Sequence, residues 1–258
     1  MIQKQCKSWM SELNCKEFRL ICTGSADAIT NMAIDEALLE GFEKDANPIL
    51  RVYSWSDSFT LGISQKIKDY QELYQPNTSF AKRITGGGVL FHGHDVSYSV
   101  ILPSDTFGTL DVKQSYEKLC SFLIAFYEDL GLNPVFAKDE EATTTTNSPY
   151  CQIGFEPYDI LIEGKKIGGN AQRRMRDKIF QHGSIPFKKN NTYTKWQGYN
   201  LGDFGVELGE DEVSEKLFLA FHKTFAMPLD YSCFSEKEEQ LITALIKEKY
   251  ANSTQEEA

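Results

Sequence analysis

Apolar residues recur at helical spacing from Ala28 to Phe42, with Thr30 or Asn31 near the start. This predicts an amphipathic helix carrying Asp35 and Glu36. The period then changes. Ile49 to Trp55 alternates and is rich in β-formers, which predicts a strand, and after a turn at Ser56-Asp57-Ser58 a shorter strand follows over Phe59 to Ile63. Val96 to Leu102 alternates again and is expected to pair with Val89–Phe91 across the turn His92-Gly93-His94-Asp95. Ser115 to Leu130 is helical and is closed by Gly131. Tyr158–Glu163 and Lys166–Gly168 read as a hairpin, and Ile179–Pro186 as one more strand. Val213–Phe225 and Glu236–Tyr250 have helical periods. Lys138–Pro149, polar and with a threonine run, is expected to be a mobile loop, and the tail from Ala251 is expected to fray.

Helices and hairpins in this order lack the strand–helix alternation of a doubly wound fold. The expected class is α+β, with a mixed, mainly antiparallel sheet and helices packed on it. One catalytic domain is expected over residues 20–250, with no accessory C-terminal domain, since nothing after Tyr231 is long enough to form one. The formal net charge of −10 argues against a nucleic-acid partner. No stretch approaches a membrane span, and the polar start lacks the apolar core of a secretory signal, so a cytoplasmic protein with no membrane partner is expected. The charge is uneven: Lys165, Lys166, Arg173, Arg174, Arg176 and Lys178 face a single Asp177. That run reads either as a solvated face or as a docking patch for an acidic carrier domain.

Six cysteines contain no C-x-x-C pair, and His92 and His94, although on one side of an extended segment, have no third ligand near them. No metal is expected. Two segments concentrate candidate chemistry. Arg83-Ile84-Thr85-Gly86-Gly87-Gly88-Val89-Leu90-Phe91-His92 joins a basic residue to a triple-glycine turn and a strand. Consecutive glycines let backbone N–H groups approach a ligand closely. A phosphate-binding Walker loop is excluded because no G-K-[ST] follows. Gly164-Lys165-Lys166-Ile167-Gly168-Gly169-Asn170-Ala171-Gln172 sets a lysine on a strand beside a glycine-rich loop. The Gln181-His182-Gly183-Ser184 strand adds polar groups for the same cleft.

Seven blocks in order, from N-M-A-I-D-E-A-L-L-E (31–40) through R-I-T-G-G-G-V-L-F-H (83–92) and G-K-K-I-G-G-N-A-Q (164–172) to Q-H-G-S-I (181–185), resemble the lipoate-protein ligase and octanoyltransferase family. The resemblance implies the fold of biotin and lipoate ligases, related to class II aminoacyl-tRNA synthetases, and an apolar tunnel for an eight-carbon acyl chain. It implies Cys151, fifteen residues before Lys166, as an acyl-bearing nucleophile and Lys166 as its catalytic partner. It also implies Arg83, Gly86, Gly87, Gly88, His92, Gly169, Ala171, Gln172 and His182 as substrate-binding positions. The donor would be octanoyl-acyl carrier protein, the acceptor a lysine of a lipoyl domain or of glycine cleavage H protein, with no cofactor. The G-G-G form with Gly88 looks more ligase-like, Asn170 replaces the family's usual serine and Gln152 its more typical aromatic; these departures leave the donor open, and a non-enzymatic reading stands beside them, which gives three alternatives. These are an ATP- and Mg-dependent lipoate ligase working with a separate accessory subunit, an amidotransferase, and a catalytically inert lipoyl-binding scaffold.

Overall fold

A computed structural model describes residues 17–73, 78–140, 150, 156–190, 192 and 198–251. Strand β1 (Phe18–Ala26) leads into helix α1 (Ala28–Gly41), capped by Asp27, whose carboxylate accepts from the Thr30 amide at 2.8 Å. Strands β2 (Ile49–Trp55), β3 (Ser58–Leu61), β4 (Ser79–Lys82), β5 (Leu90–His92) and β6 (Asp95–Pro103) follow, then helix α2 (Val112–Asp129). Strands β7 (Pro134–Phe136), β8 (Ile160–Ile162), β9 (Lys165–Lys166), β10 (Gly169–Arg174) and β11 (Lys178–Pro186) come next. The chain continues with α3 (Glu210–Phe225), β12 (Leu229–Tyr231) and α4 (Glu236–Leu245), which runs into a π-helical turn at Ile246–Tyr250.

Six strands form the main sheet in the order β10-β11-β6-β2-β1-β12, antiparallel from β10 to β2 and parallel from β2 to β12. Two three-stranded sheets, β4-β3-β5 and β7-β8-β9, flank it. The α+β class and the mainly antiparallel sheet are those read from the sequence. The alternation of β6 sorts its side chains onto two faces. Val96, Tyr98, Val100 and Leu102 join Phe122, Phe126, Phe221 and Phe225 of α2 and α3 in the largest core cluster. The opposite phase, with Ser97, Ser99 and Ile101, is buried on the α1 side. The polar positions of this strand therefore face a buried site, not water.

Three expectations are corrected. Helix α1 is not amphipathic in the ordinary sense: it is buried without a break from Asn31 to Leu39, Asp35 and Glu36 included. The hairpin between Val89–Phe91 and Val96–Leu102 does not form. Strand β6 has both edges taken by β2 and β11, so β5 pairs with β3 in another sheet. Gly93, at φ +100°, turns the chain between the two sheets where any side chain would collide with Asp57. Gly169 opens strand β10 instead of a loop. Of the basic run, Arg173 donates to the Ile84 carbonyl and Arg174 to Ser115. The buried Lys178 donates to the carbonyls of Leu39 and Phe42 at the end of α1. Among these six residues only Arg176 is fully exposed, so the run is largely part of the framework. The polar segment 141–149 and the tail beyond 251 lie outside the described residues. No described helix is long and apolar enough to cross a membrane.

Candidate active site

The glycine turn is held by the side chain of Arg83. Arg83 is 5% exposed. Its Nη2 donates to the carbonyls of Gly86 (3.2 Å) and Gly88 (2.7 Å), and its Nη1 to the carbonyl and hydroxyl of Thr60 (3.1 and 2.8 Å). Because a trans peptide sets C=O and N–H on opposite sides, the Gly87 amide N–H points away from the guanidinium. Gly87 has φ +99°, and Gly62 lies so close beneath it that a Cβ there would overlap the Gly87 carbonyl. The Thr85 carbonyl accepts from the Ile63 amide, which fixes the near end of the turn.

The turn borders a small cleft. Gly86, Gly87, Arg83 and His92 border it on one side and Gly169 and Ala171 on another. His182 and Ser184 of β11 form the floor, with Met32, Tyr53, Trp55 and Leu90 filling in. Seven of the eleven sequence-predicted site residues thus meet here. Gly88 contributes its carbonyl to Arg83 but does not border the cleft. Gln172 turns to the α2 side, where its Nε2 donates to Gln181. Lys166 is 8% exposed, and its Nζ donates to Asp159 at 2.7 Å. Cys151 lies outside the described residues. Tyr150, immediately before it, bridges to Val89 at the end of the glycine turn and stacks on Phe91.

Two buried carboxylates that sequence reasoning did not place in the site stand behind its walls. Asp35 accepts from Arg51 (2.7 Å), Ser99 (2.8 Å) and Tyr53 (2.9 Å) and meets His182 Nδ1 at 3.4 Å; His182 Nε2 lies 2.7 Å from the Thr85 hydroxyl. Burial alone would raise the Asp35 pKa, but the Arg51 guanidinium and then His182 outweigh it, and the carboxyl stays ionised well into acid. Burial lowers the pKa of His182 against the pull of Asp35, so its ring is neutral at neutral pH. Asp95 Oδ2 accepts from Ser184 (2.6 Å), His92 Nδ1 (2.9 Å) and Ser97 (3.3 Å), and Trp55 donates to Ser97 while stacking on His92. Burial would raise the Asp95 pKa too, yet His92 and the hydrogen bonds hold it down. A signal for these residues was present: Asp35 sits within an apolar helix stripe, and Ser97 and Ser99 alternate with core residues. Among the described residues no group of His, Cys, Asp and Glu could hold a metal ion.

A mixed sheet carrying a cleft beside a glycine turn is compatible with many small-molecule sites, and similarity to known proteins specifies which. The Lipoyl protein ligase A/B catalytic domain model matches residues 27–197. The chain is 28% identical to Octanoyltransferase LipM of Exiguobacterium sp. over 260 residues, covering 89% of this chain and 94% of that protein. It is 32% identical to Octanoyltransferase LipM of Bacillus subtilis over 179 residues, 65% of this chain and 64% of that protein. A solved lipoate-protein ligase A bound with ATP superposes with a TM-score of 0.75 at 25% identity, covering 91% of this chain and 96% of the other. A T. acidophilum protein with bound lipoic acid gives the same values. The chain belongs to the lipoyl protein ligase A/B catalytic domain family, and it is an acyltransferase enzyme.

Proposed function

We propose that this enzyme moves an octanoyl group from acyl carrier protein, through a thioester on Cys151, to a lysine of a lipoyl domain or of glycine cleavage H protein. The observation that carries the reading is the bridge from Tyr150 to Val89, which ties the residue before Cys151 to the glycine turn that borders the cleft. The similarity to octanoyltransferases over most of the chain supports the same choice. The Cys151 thiolate attacks the carrier's thioester carbonyl, that carbon–sulfur bond breaks, and the phosphopantetheine thiol leaves with a proton. The lysine amine then attacks the Cys151 thioester, the thiolate departs, and the amine gives up one proton as the amide forms. The Gly87 N–H is a donor suited to the oxyanion of each step. Lys166, paired with Asp159 on the far flank of the same segment, favours the thiolate electrostatically. The donor thioester is already activated, so no ATP or magnesium is needed.

The decisive experiment is intact mass after incubation with octanoyl-carrier protein without ATP. One octanoyl adduct is expected on the wild type and none on Cys151→Ala, which also loses transfer to a lipoyl domain. A ligase reading is favoured by the G-G-G turn and by the solved ligase with ATP. Release of pyrophosphate from ATP and lipoate, undiminished in Cys151→Ala, would establish that reading instead.

A further inference from the structure

Acylating a lysine releases a proton, and a base must receive it. The Gly87 N–H only donates, and the Asp159 carboxylate is taken by Lys166 and by the Glu156 amide (2.7 Å). His182 is built differently. Its ring borders the cleft, its Nδ1 meets Asp35 at 3.4 Å, and its Nε2 lies 2.7 Å from the Thr85 hydroxyl. Burial keeps the ring neutral at neutral pH. A carboxylate can only accept, so the one ring proton sits on Nδ1 and Nε2 is left as an acceptor. The Thr85 hydroxyl therefore donates to Nε2, and among the described residues no other group donates to the Thr85 hydroxyl oxygen. The second histidine of the wall lacks this freedom. His92 Nε2 lies 3.0 Å from the Thr60 hydroxyl, but that oxygen already accepts from the charged Arg83 at 2.8 Å, which makes it a poor base, and the ring is stacked on Trp55.

We propose that Thr85 and His182, oriented by Asp35, form the relay that deprotonates the acceptor lysine. Thr85 directly precedes Gly86 and Gly87, which border the cleft, so an amine attacking a carbonyl held at the Gly87 N–H arrives beside it. The amine proton passes to the Thr85 oxygen while the Thr85 hydroxyl proton passes to Nε2. The carbon–nitrogen bond forms, the bond from the acyl carbon to the donor sulfur breaks, and its electron pair leaves on sulfur. The imidazolium, stabilised by the ionised Asp35, then returns its proton through Thr85 to water. Thr85 and His182 are catalytic residues in this scheme; Asp35 acts through the ring and is a positioning residue. The relay rests on the acyl-transfer reading for its acceptor lysine, but it serves any activated octanoyl donor.

The test charges the protein with octanoyl-carrier protein and offers two nucleophiles. Transfer to a lipoyl domain is compared with formation of the hydroxamate from hydroxylamine, which is unprotonated at neutral pH and attacks a thioester without a base. Thr85→Val differs from the wild type in one side-chain atom, and His182→Gln can accept from Thr85 but cannot take up a proton. In both, lysine transfer should fall at least about 100-fold, while hydroxamate formation stays within about threefold of wild type. Thr85→Ser should recover most of what Thr85→Val loses, and Asp35→Asn should show the same split between nucleophiles. A purely structural role would slow both products together or neither, and either result in folded Thr85→Val overturns the relay. If His182→Gln or Asp35→Asn does not fold, the two Thr85 variants decide. If octanoyl-carrier protein charges nothing on the wild type, the transferase reading fails, and the same comparison is made with octanoate and ATP, whose acyl-adenylate also yields a hydroxamate. A wild type that acylates no lysine with either donor overturns the relay as well.

Discussion

Replacing Gly62 by Ala is the most direct way to ask whether the glycine turn must sit where it does. Gly62 has no positive φ, so alanine suits its backbone and the effect is purely one of space. The added carbon would lie 3.0 Å from the Gly87 carbonyl carbon and 3.2 Å from that of Gly86, and nearer still to the Gly87 oxygen. That oxygen must retreat by about 1 Å, since close-packed atoms do not overlap and the obstacle is backbone that cannot rotate aside. Arg83 holds the Gly86 and Gly88 carbonyls on either side, so the displacement strains those bonds or is shared with them. Overpacking of this kind costs about 1–3 kcal/mol, or a Tm lower by roughly 2–10 °C for a chain of this size. A shift of about 1 Å in groups that hold the reacting carbonyl lowers turnover by about 100-fold. Octanoyl transfer measured well below the variant's own Tm isolates the second effect. Gly41→Ala is the control, because its nearest neighbour lies 4.0 Å away and its place in α1 favours alanine. If Gly62→Ala keeps its Tm and stays within about threefold of wild-type transfer, the turn has no fixed position to lose.

Acid should destabilise the protein before its carboxylates titrate. Burial lowers His94 to about 4, and an unfolded histidine binds its proton near 6.5, so between those values the unfolded chain holds more protons and stability falls with pH. Roughly 3 kcal/mol should be lost from pH 6.5 to pH 4, with His182 adding in the same direction; Asp35 and Asp95, held low, contribute their loss only below the ordinary carboxylate range. Urea titrations at the two ends of that window check this, and equal midpoints would refute it. Lys166→Ala should destabilise by about 3 kcal/mol by leaving the buried Asp159 carboxylate unpaired. A urea midpoint unchanged from wild type would show that the pair contributes nothing. If Lys166 also favours the Cys151 thiolate, alkylation of that cysteine should shift to higher pH in the same variant.

The sequence made the glycine turn and the His182 strand legible because their signals are local: three glycines together, and a strand pattern with a histidine in it. The carboxylates behind the cleft were less so. Asp35 in a helix and Asp95 in a turn are ordinary surface residues by type, and only the pairing of β6 with β2 and β11 buries them. Non-local pairing also explains the failed hairpin, since nothing in residues 89–102 reports that β3 will claim β5. Lys178 shows the same limit: within a run of basic residues it reads as surface charge, although its ammonium caps the end of α1, 136 residues away in the chain at Phe42. Strand β10 escaped because an edge strand with one arginine pair and no apolar alternation has little β signature.

The bond between Thr85 and His182 joins residues 97 apart, and the one between His182 and Asp35 joins residues 147 apart. Each crosses from one sheet or helix to another, so the cleft has no existence within any single segment. Closing such long loops is slow relative to forming helices and hairpins. During refolding, far-ultraviolet circular dichroism should therefore recover ahead of acyl binding, and a chain with its helices formed but its sheets undocked has nowhere to put an octanoyl group. Activity in this protein is a readout of the last contacts made.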